Sequence, residues 1–210
     1  MLNFQDLPDE LVLKIFGYSE IKDIIIYGQV SRRLRRISHD GRLWVTANLV
    51  MKIVKTELLE MILSKGCKIL NISYSTIVGS LSSNIKSQVR VLDLSQSAWC
   101  ETGPNYKDNS VFEELLFSCC SLHQLKMEGI SLTPKMVASI CKNGKTLQVF
   151  HLNHSYVGEY IMHKGNFQSI IKSCQELKEV SLLNINDNEG LKDLGFLVRN
   201  ISPNVVTSVS

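Results

Sequence analysis

The sequence predicts an α/β chain in two zones. A helical N-terminal module is followed by a solenoid, with parallel strands on its concave face and helices on its convex face. Three observations carry this. Apolar residues recur at i,i+4 between helix breakers through the first 50 positions. A six-residue pattern, L-x-x-L-x-L, recurs from Cys67 to the C-terminus. Capping residues and helically spaced apolar residues lie between most of its copies. The chain has 210 residues, 44% hydrophobic and 20% charged, enough for a small module joined to a larger one.

Taken in order, Pro8 suits the first turn of a helix, where its missing N–H costs nothing. Behind it Leu11 pairs with Ile15, and Val12 with Phe16. Gly17 and Ser19 end that segment. A second helix is expected from Lys22 to Ser38, with Ile26, Val30, Leu34 and Ile37 as its apolar face. Arg32, Arg33, Arg35 and Arg36 fill its other positions and read as a solvated face. Asp40 and Gly41 break it, and Leu43 and Trp44 begin a short apolar turn. A module of this size does not bury all its apolar residues alone, so the rest of the chain or a partner must cover some.

The repeat zone begins with CKILNI at Cys67. It continues with VRVLDL at Val89, LHQLKM at Leu122, LQVFHL at Leu147 and LKEVSL at Leu177. A sixth start, at Val205, is read as truncated. Thr56 is expected to cap a leading helix through Leu58, Leu59 and Ile62. Ser73 to Gln88 is read as irregular. Ser110 to Glu113 forms a capping box ahead of Leu115 and Leu116. Thr133-Pro134 opens a helix through Met136, Val137 and Ile140, which Gly144 stops. Phe167, Ile170 and Ile171 mark another helix, and Leu191, Leu194, Leu197 and Val198 a last one. The expected division is 1–50, 51–66 as a linking helix, and 67–210 as repeats.

The first zone resembles an F-box over roughly residues 3–49. Leu7-Pro8-Asp9-Glu10-Leu11 with Ile15-Phe16 fits that family's L-P-x-E-L…I-F core. Asp23-Ile24, Val30-Ser31-Arg32-Arg33-Leu34 and Leu43-Trp44 fit its later positions. Ser19, Ser31 and Leu34 depart from the common leucine, cysteine and tryptophan. With the repeats, the whole is similar to the F-box/leucine-rich-repeat class. That resemblance implies a substrate receptor that binds the Skp adaptor and, through it, a cullin–RING ubiquitin ligase. It assigns Leu7, Pro8, Leu11, Ile15, Phe16, Val30 and Trp44 to adaptor contact or to the module's own packing. It implies no active site in the chain itself. The competing expectation is a leucine-rich-repeat scaffold whose degenerate F-box serves only as an N-terminal cap.

Strand side chains alternate, so the residues between the template leucines face the concave surface. The stripe is Ile69, Asn71 and Ser73; Val91, Asp93 and Ser95; Gln124, Lys126 and Glu128; Val149, His151 and Asn153; Glu179, Ser181 and Leu183. Its polar, mixed-charge middle suits a protein partner. Among these, Asn71, Asp93, Ser95, Gln124, Lys126, Glu128, His151, Asn153, Glu179 and Ser181 are the candidate substrate contacts. Trp99 and Tyr106, with Pro104 between them, are expected in a long aromatic loop.

Other chemistries find little support. A net charge of +3 argues against nucleic acid or acidic lipid as the main partner. The longest aliphatic run, Ile24 to Ile26, is too short to span a membrane. No secretory leader is read, which places the chain in the cytoplasm or nucleus and leaves its six cysteines as mostly buried free thiols. In Cys119-Cys120 at least one is expected in the core. No C-x-x-C pair occurs, and His151 with His154 lacks a neighbouring ligand, so no metal and no cofactor are expected. Gly144-Lys145-Thr146 fails as a P-loop, because Ser139 stands where its earlier glycine belongs.

Overall fold

Local chemistry sets the helices of the N-terminal module. The computed structural model describes residues 4–82, 84–100, 110–153, 164–182 and 206–209. Pro8 precedes helix α1 (Asp9–Phe16), whose inner face is Val12 and Phe16. The expected long second helix is two: α2 (Ile21–Val30) and α3 (Arg32–Ser38). The break is at Ser31, which is extended (φ −155°, ψ 161°) and accepts the Leu34 N–H on Oγ. An N-cap residue is itself extended while its side-chain oxygen accepts a first-turn N–H, so this serine ends one helix and starts the next. Phe16 and Tyr27 join α1 to α2, with ring centroids 4.7 Å apart. Arg33 Nε donates to Asp9 Oδ1 at 2.8 Å, and Arg36 also binds that carboxylate, so the arginine run ties α3 to α1. These bonds hold the Asp9 carboxyl below the usual carboxylate range, the Arg33 contact first and Arg36 second.

The module runs directly into a parallel sheet. In chain order come β1 (Thr46–Asn48), β2 (Ile53–Lys55), α4 (Thr56–Ser64), β3 (Ile69–Asn71), β4 (Thr76–Val78), β5 (Val91–Asp93), β6 (Ala98–Cys100) and α5 (Ser110–Ser118). Then follow β7 (Gln124–Lys126), α6 (Pro134–Lys142), β8 (Val149–His151), α7 (Lys164–Ser173), β9 (Glu179–Leu182) and β10 (Val206–Val209). The main sheet has the order β1-β3-β5-β7-β8-β9-β10, and β2-β4-β6 form a second, three-stranded one. Every strand pair among the described residues is parallel. The central residues Ala47, Leu70, Leu92, Leu125, Phe150 and Val180 stand in register and are buried. They meet Leu59 and Ile62 of α4, Leu115 and Leu116 of α5, Met136 and Ile140 of α6 and Ile170 of α7 in one core that also holds Val12, Phe16 and Trp44.

Several sequence expectations change. The sheet begins inside 1–50, not at 67, because Trp44-Val45-Thr46-Ala47-Asn48-Leu49 keeps the template spacing with alanine in the central slot. Ser73 to Gln88 contains β4. Thr56 is the first residue of α4 and is buried, and Lys55 holds the N-cap position with no capping bond from its side chain; Thr56 lies against Gly79, where a Cβ would come 2.3 Å from Thr56 Oγ1 and where φ is +107°. Thr133 accepts the Met136 N–H on Oγ1 at 3.2 Å, with Pro134 in the first turn of α6. Gly144 serves proximity: a Cβ there would sit 2.1 Å from the Ser173 carbonyl oxygen, so glycine lets the next turn stack. Trp99 lies in β6 by its backbone. Pro104, Tyr106, His154, Leu183 and the expected helix at 191–198 fall outside the described residues.

Candidate functional site

The first candidate surface is on the module. In α1, Leu11 and Ile15 lie one turn apart and stay 48% and 44% exposed. In α2, Ile26 and Val30 repeat that spacing at 54% and 70%. Pro8 is exposed and Leu7 half-buried. Phe16 and Trp44, each 2% exposed, are packed in the core. Trp44 is fixed by its indole N–H, which donates to the Ser38 carbonyl at 2.8 Å. The structure thus divides the seven module residues in two. Five reach solvent and two are buried in the core. The exposed apolar faces of two short helices fit a surface that another protein covers.

The second candidate surface is the outer face of the main sheet. Thr46, Ile69, Val91, Gln124, Val149 and Glu179 share one row, and Asn48, Asn71, Asp93, Lys126, His151 and Ser181 the next. Gln124 and Glu179 are exposed; Asn71, Asp93, Lys126, Glu128 and His151 are half-buried. Asn71 and Asp93 hold their own turns, accepting the N–H of Ser73 and of Ser95 at 3.0 Å each. Ser95, Asn153 and Ser181 are buried, which corrects their place among the open contacts. Ser181 Oγ donates to Asn153 Oδ1 at 2.8 Å, Asn153 Nδ2 donates to Glu128 Oε1 at 2.9 Å, and Ser95 Oγ accepts the Glu128 N–H. Their hydrogen bonds are satisfied between neighbouring strands. His151 Nε2 lies 2.7 Å from Glu179 Oε1, bridging the two rows.

Where module and sheet meet, a cavity of about 390 Å³ opens between the α1–α2 loop and β1, lined by Tyr18, Glu20, Thr46, Asn48 and Lys52. Lys52 Nζ reaches Glu20 Oε2 at 2.7 Å and holds that carboxyl below its ordinary range. Sequence reading missed this junction. The signal was the template spacing from Trp44 to Leu49, masked by Ala47.

Among the described residues no group of three His, Cys, Asp or Glu side chains could hold a metal ion, and no helix is long and apolar enough to cross a membrane. Burial pushes the thiols of Cys67 and Cys119 up to about 11 and that of Cys174 to about 12, which leaves them protonated. Cys119 is buried and its neighbour Cys120 exposed.

The first surface lies within a span that matches a known domain family. Residues 4–49 match the family model described as F-box-like, a span that contains α1, α2, α3 and β1. A domain of that type suggests an adaptor-binding module of Skp–cullin–F-box ligases; in this chain the matched span is continuous with a parallel sheet.

Proposed function

We propose that the chain is the substrate-recognition subunit of a Skp–cullin–F-box ubiquitin ligase. Its F-box-like module docks on the Skp adaptor, and its leucine-rich repeats hold the protein to be ubiquitinated. The carrying observation is the pair of exposed apolar faces, Leu11 with Ile15 and Ile26 with Val30, on a module matched as F-box-like. The repeat reading rests on the parallel register of Leu70, Leu92, Leu125, Phe150 and Val180, one apolar residue per strand, with helices packed behind. A solenoid of this kind presents its strand face for binding. The chain then contributes positioning, and catalysis belongs to its partners.

One observation favours the second reading, a module that only caps the repeats. The Val45 carbonyl accepts the N–H groups of Lys68 and Ile69, so the module's last turn supplies the first strand of the sheet. Co-expression with the Skp adaptor and its cullin separates the two. The receptor reading expects co-purification, lost with Leu7→Ala plus Pro8→Ala while the repeats stay folded. A monomer that ignores the adaptor, or loss of repeat folding in that variant, supports the cap alone.

A further inference from the structure

The turns that enter the main sheet stack as closely as its strands. The Lys68 N–H donates to the Val45 carbonyl, Arg90 to Lys68, His123 to Arg90, Gln148 to His123 and Lys178 to Gln148, all between 2.7 and 2.9 Å. Each of these residues immediately follows the first apolar residue of its template copy. One edge of the sheet therefore carries Lys68, Arg90, His123, Gln148 and Lys178 side by side.

Lys68, Arg90 and Lys178 are exposed, and His123 and Gln148 half-buried. Among the described residues no carboxylate lies within ion-pair distance of the three cations. Lys178 Nζ donates instead to Gln148 Oε1 at 3.2 Å. Lys86 and Lys145, both exposed, sit in the segments leading into β5 and β8. Glu176 and Glu179 lie at the β9 end, and Glu179 already meets His151. At the β3–β5 end Lys68 and Arg90 are exposed neighbours without an ion-paired acid among the described residues. Holding unpaired like charges in register is unfavourable, and an acidic ligand relieves it.

We propose that this edge binds an acidic, extended segment of a protein. From β3 to β9 there are four strand-to-strand steps of about 4.8 Å, roughly 19 Å in all, which an extended segment of about six residues spans. The inference names the chemistry of the segment held by the sheet. It rests on the substrate-holding half of the function proposed above and is independent of the adaptor half.

The test is fluorescence anisotropy of the whole chain with a labelled hexaglutamate peptide, without adaptor, beside the same peptide with glutamine. Hexaglutamate should bind at least about tenfold tighter than hexaglutamine and weaken steeply with salt. Lys68→Glu with Arg90→Glu should raise Kd about tenfold or more, and Lys178→Glu about threefold. Lys172→Glu, exposed on α7, should leave it unchanged. The milder Lys68→Gln with Arg90→Gln should give an intermediate loss and an unaltered circular dichroism spectrum. Equal binding of both peptides, or edge variants that bind as the parent does, would overturn the inference and leave adaptor docking standing. Tighter binding of a hexathymidylate oligonucleotide would also overturn it, making the edge a nucleic-acid surface. Peptide binding by a chain that ignores the adaptor would keep the inference and sink the ligase reading.

Discussion

Asn143 gives the sharpest test of how neighbouring strand–helix units are locked together. It follows α6, is 2% exposed, and its side chain makes three hydrogen bonds. Nδ2 donates to the carbonyls of Cys119 at 3.0 Å and Ser139 at 2.9 Å, and Oδ1 accepts the Leu122 N–H at 2.9 Å. Asn143→Ala strands a buried N–H and a buried carbonyl between units. At about 1–3 kcal/mol for such a donor, and less for the carbonyl, the loss is roughly 2–4 kcal/mol. For a chain of this length that lowers Tm by about 5–15 °C. Asn143→Asp keeps the acceptor for Leu122 but turns a carboxylate toward two carbonyls. It should cost at least as much as alanine near pH 7, and less at acid pH as the carboxyl protonates. Urea unfolding followed by circular dichroism measures both. A loss below about 1 kcal/mol for Asn143→Ala, or Asp better tolerated than Ala near neutrality, would refute the lock.

Three further outcomes follow from the same geometry. Trp44→Phe keeps most of the buried volume but leaves the Ser38 carbonyl without its indole donor; a loss of roughly 1–2 kcal/mol with adaptor binding retained is expected, and selective loss of adaptor binding would make Trp44 a contact after all. The Asp9 carboxyl has a lowered pKa in the folded chain, so its stabilisation is complete above its ordinary value of 3.8 and is lost as pH falls from there through the folded value. The Tm gap between parent and Asp9→Asn should accordingly be largest near neutrality and close in acid; a gap that does not vary with pH contradicts this. In mild alkylation read by peptide mass spectrometry, exposed Cys120 should react well before Cys67, Cys119 and Cys174, whose thiols burial holds protonated; uniform labelling would show that these sites open readily.

Much of the fold was legible because its signals are local and repeated. The apolar slots from Cys67 to Leu177 each produced a buried position, and Thr133-Pro134 opened a helix as its chemistry demands. The misses have physical causes. Ser31 reads as one polar position in a long helix until its extended backbone shows it to be a cap. Ala47 buries fully yet carries too little side chain to mark a strand. Spacing also places a residue on a face without saying whether a neighbour uses it. Ser95, Asn153 and Ser181 have outward register positions but spend their polar atoms on one another or on Glu128. Leu11 and Phe16 are alike in sequence, five positions apart on one helix, and only packing separates the exposed residue from the buried one.

The most direct measurement is the affinity of the purified chain for the purified Skp adaptor by isothermal titration calorimetry, beside a variant carrying Leu11→Asp, Ile15→Asp and Val30→Asp. These positions are exposed in the free chain, so the variant should keep its circular dichroism spectrum and thermal midpoint. Tight binding by the parent and a loss of about a hundredfold or more in the variant is the result the receptor account expects. No binding by the parent, or equal binding by both, would contradict it.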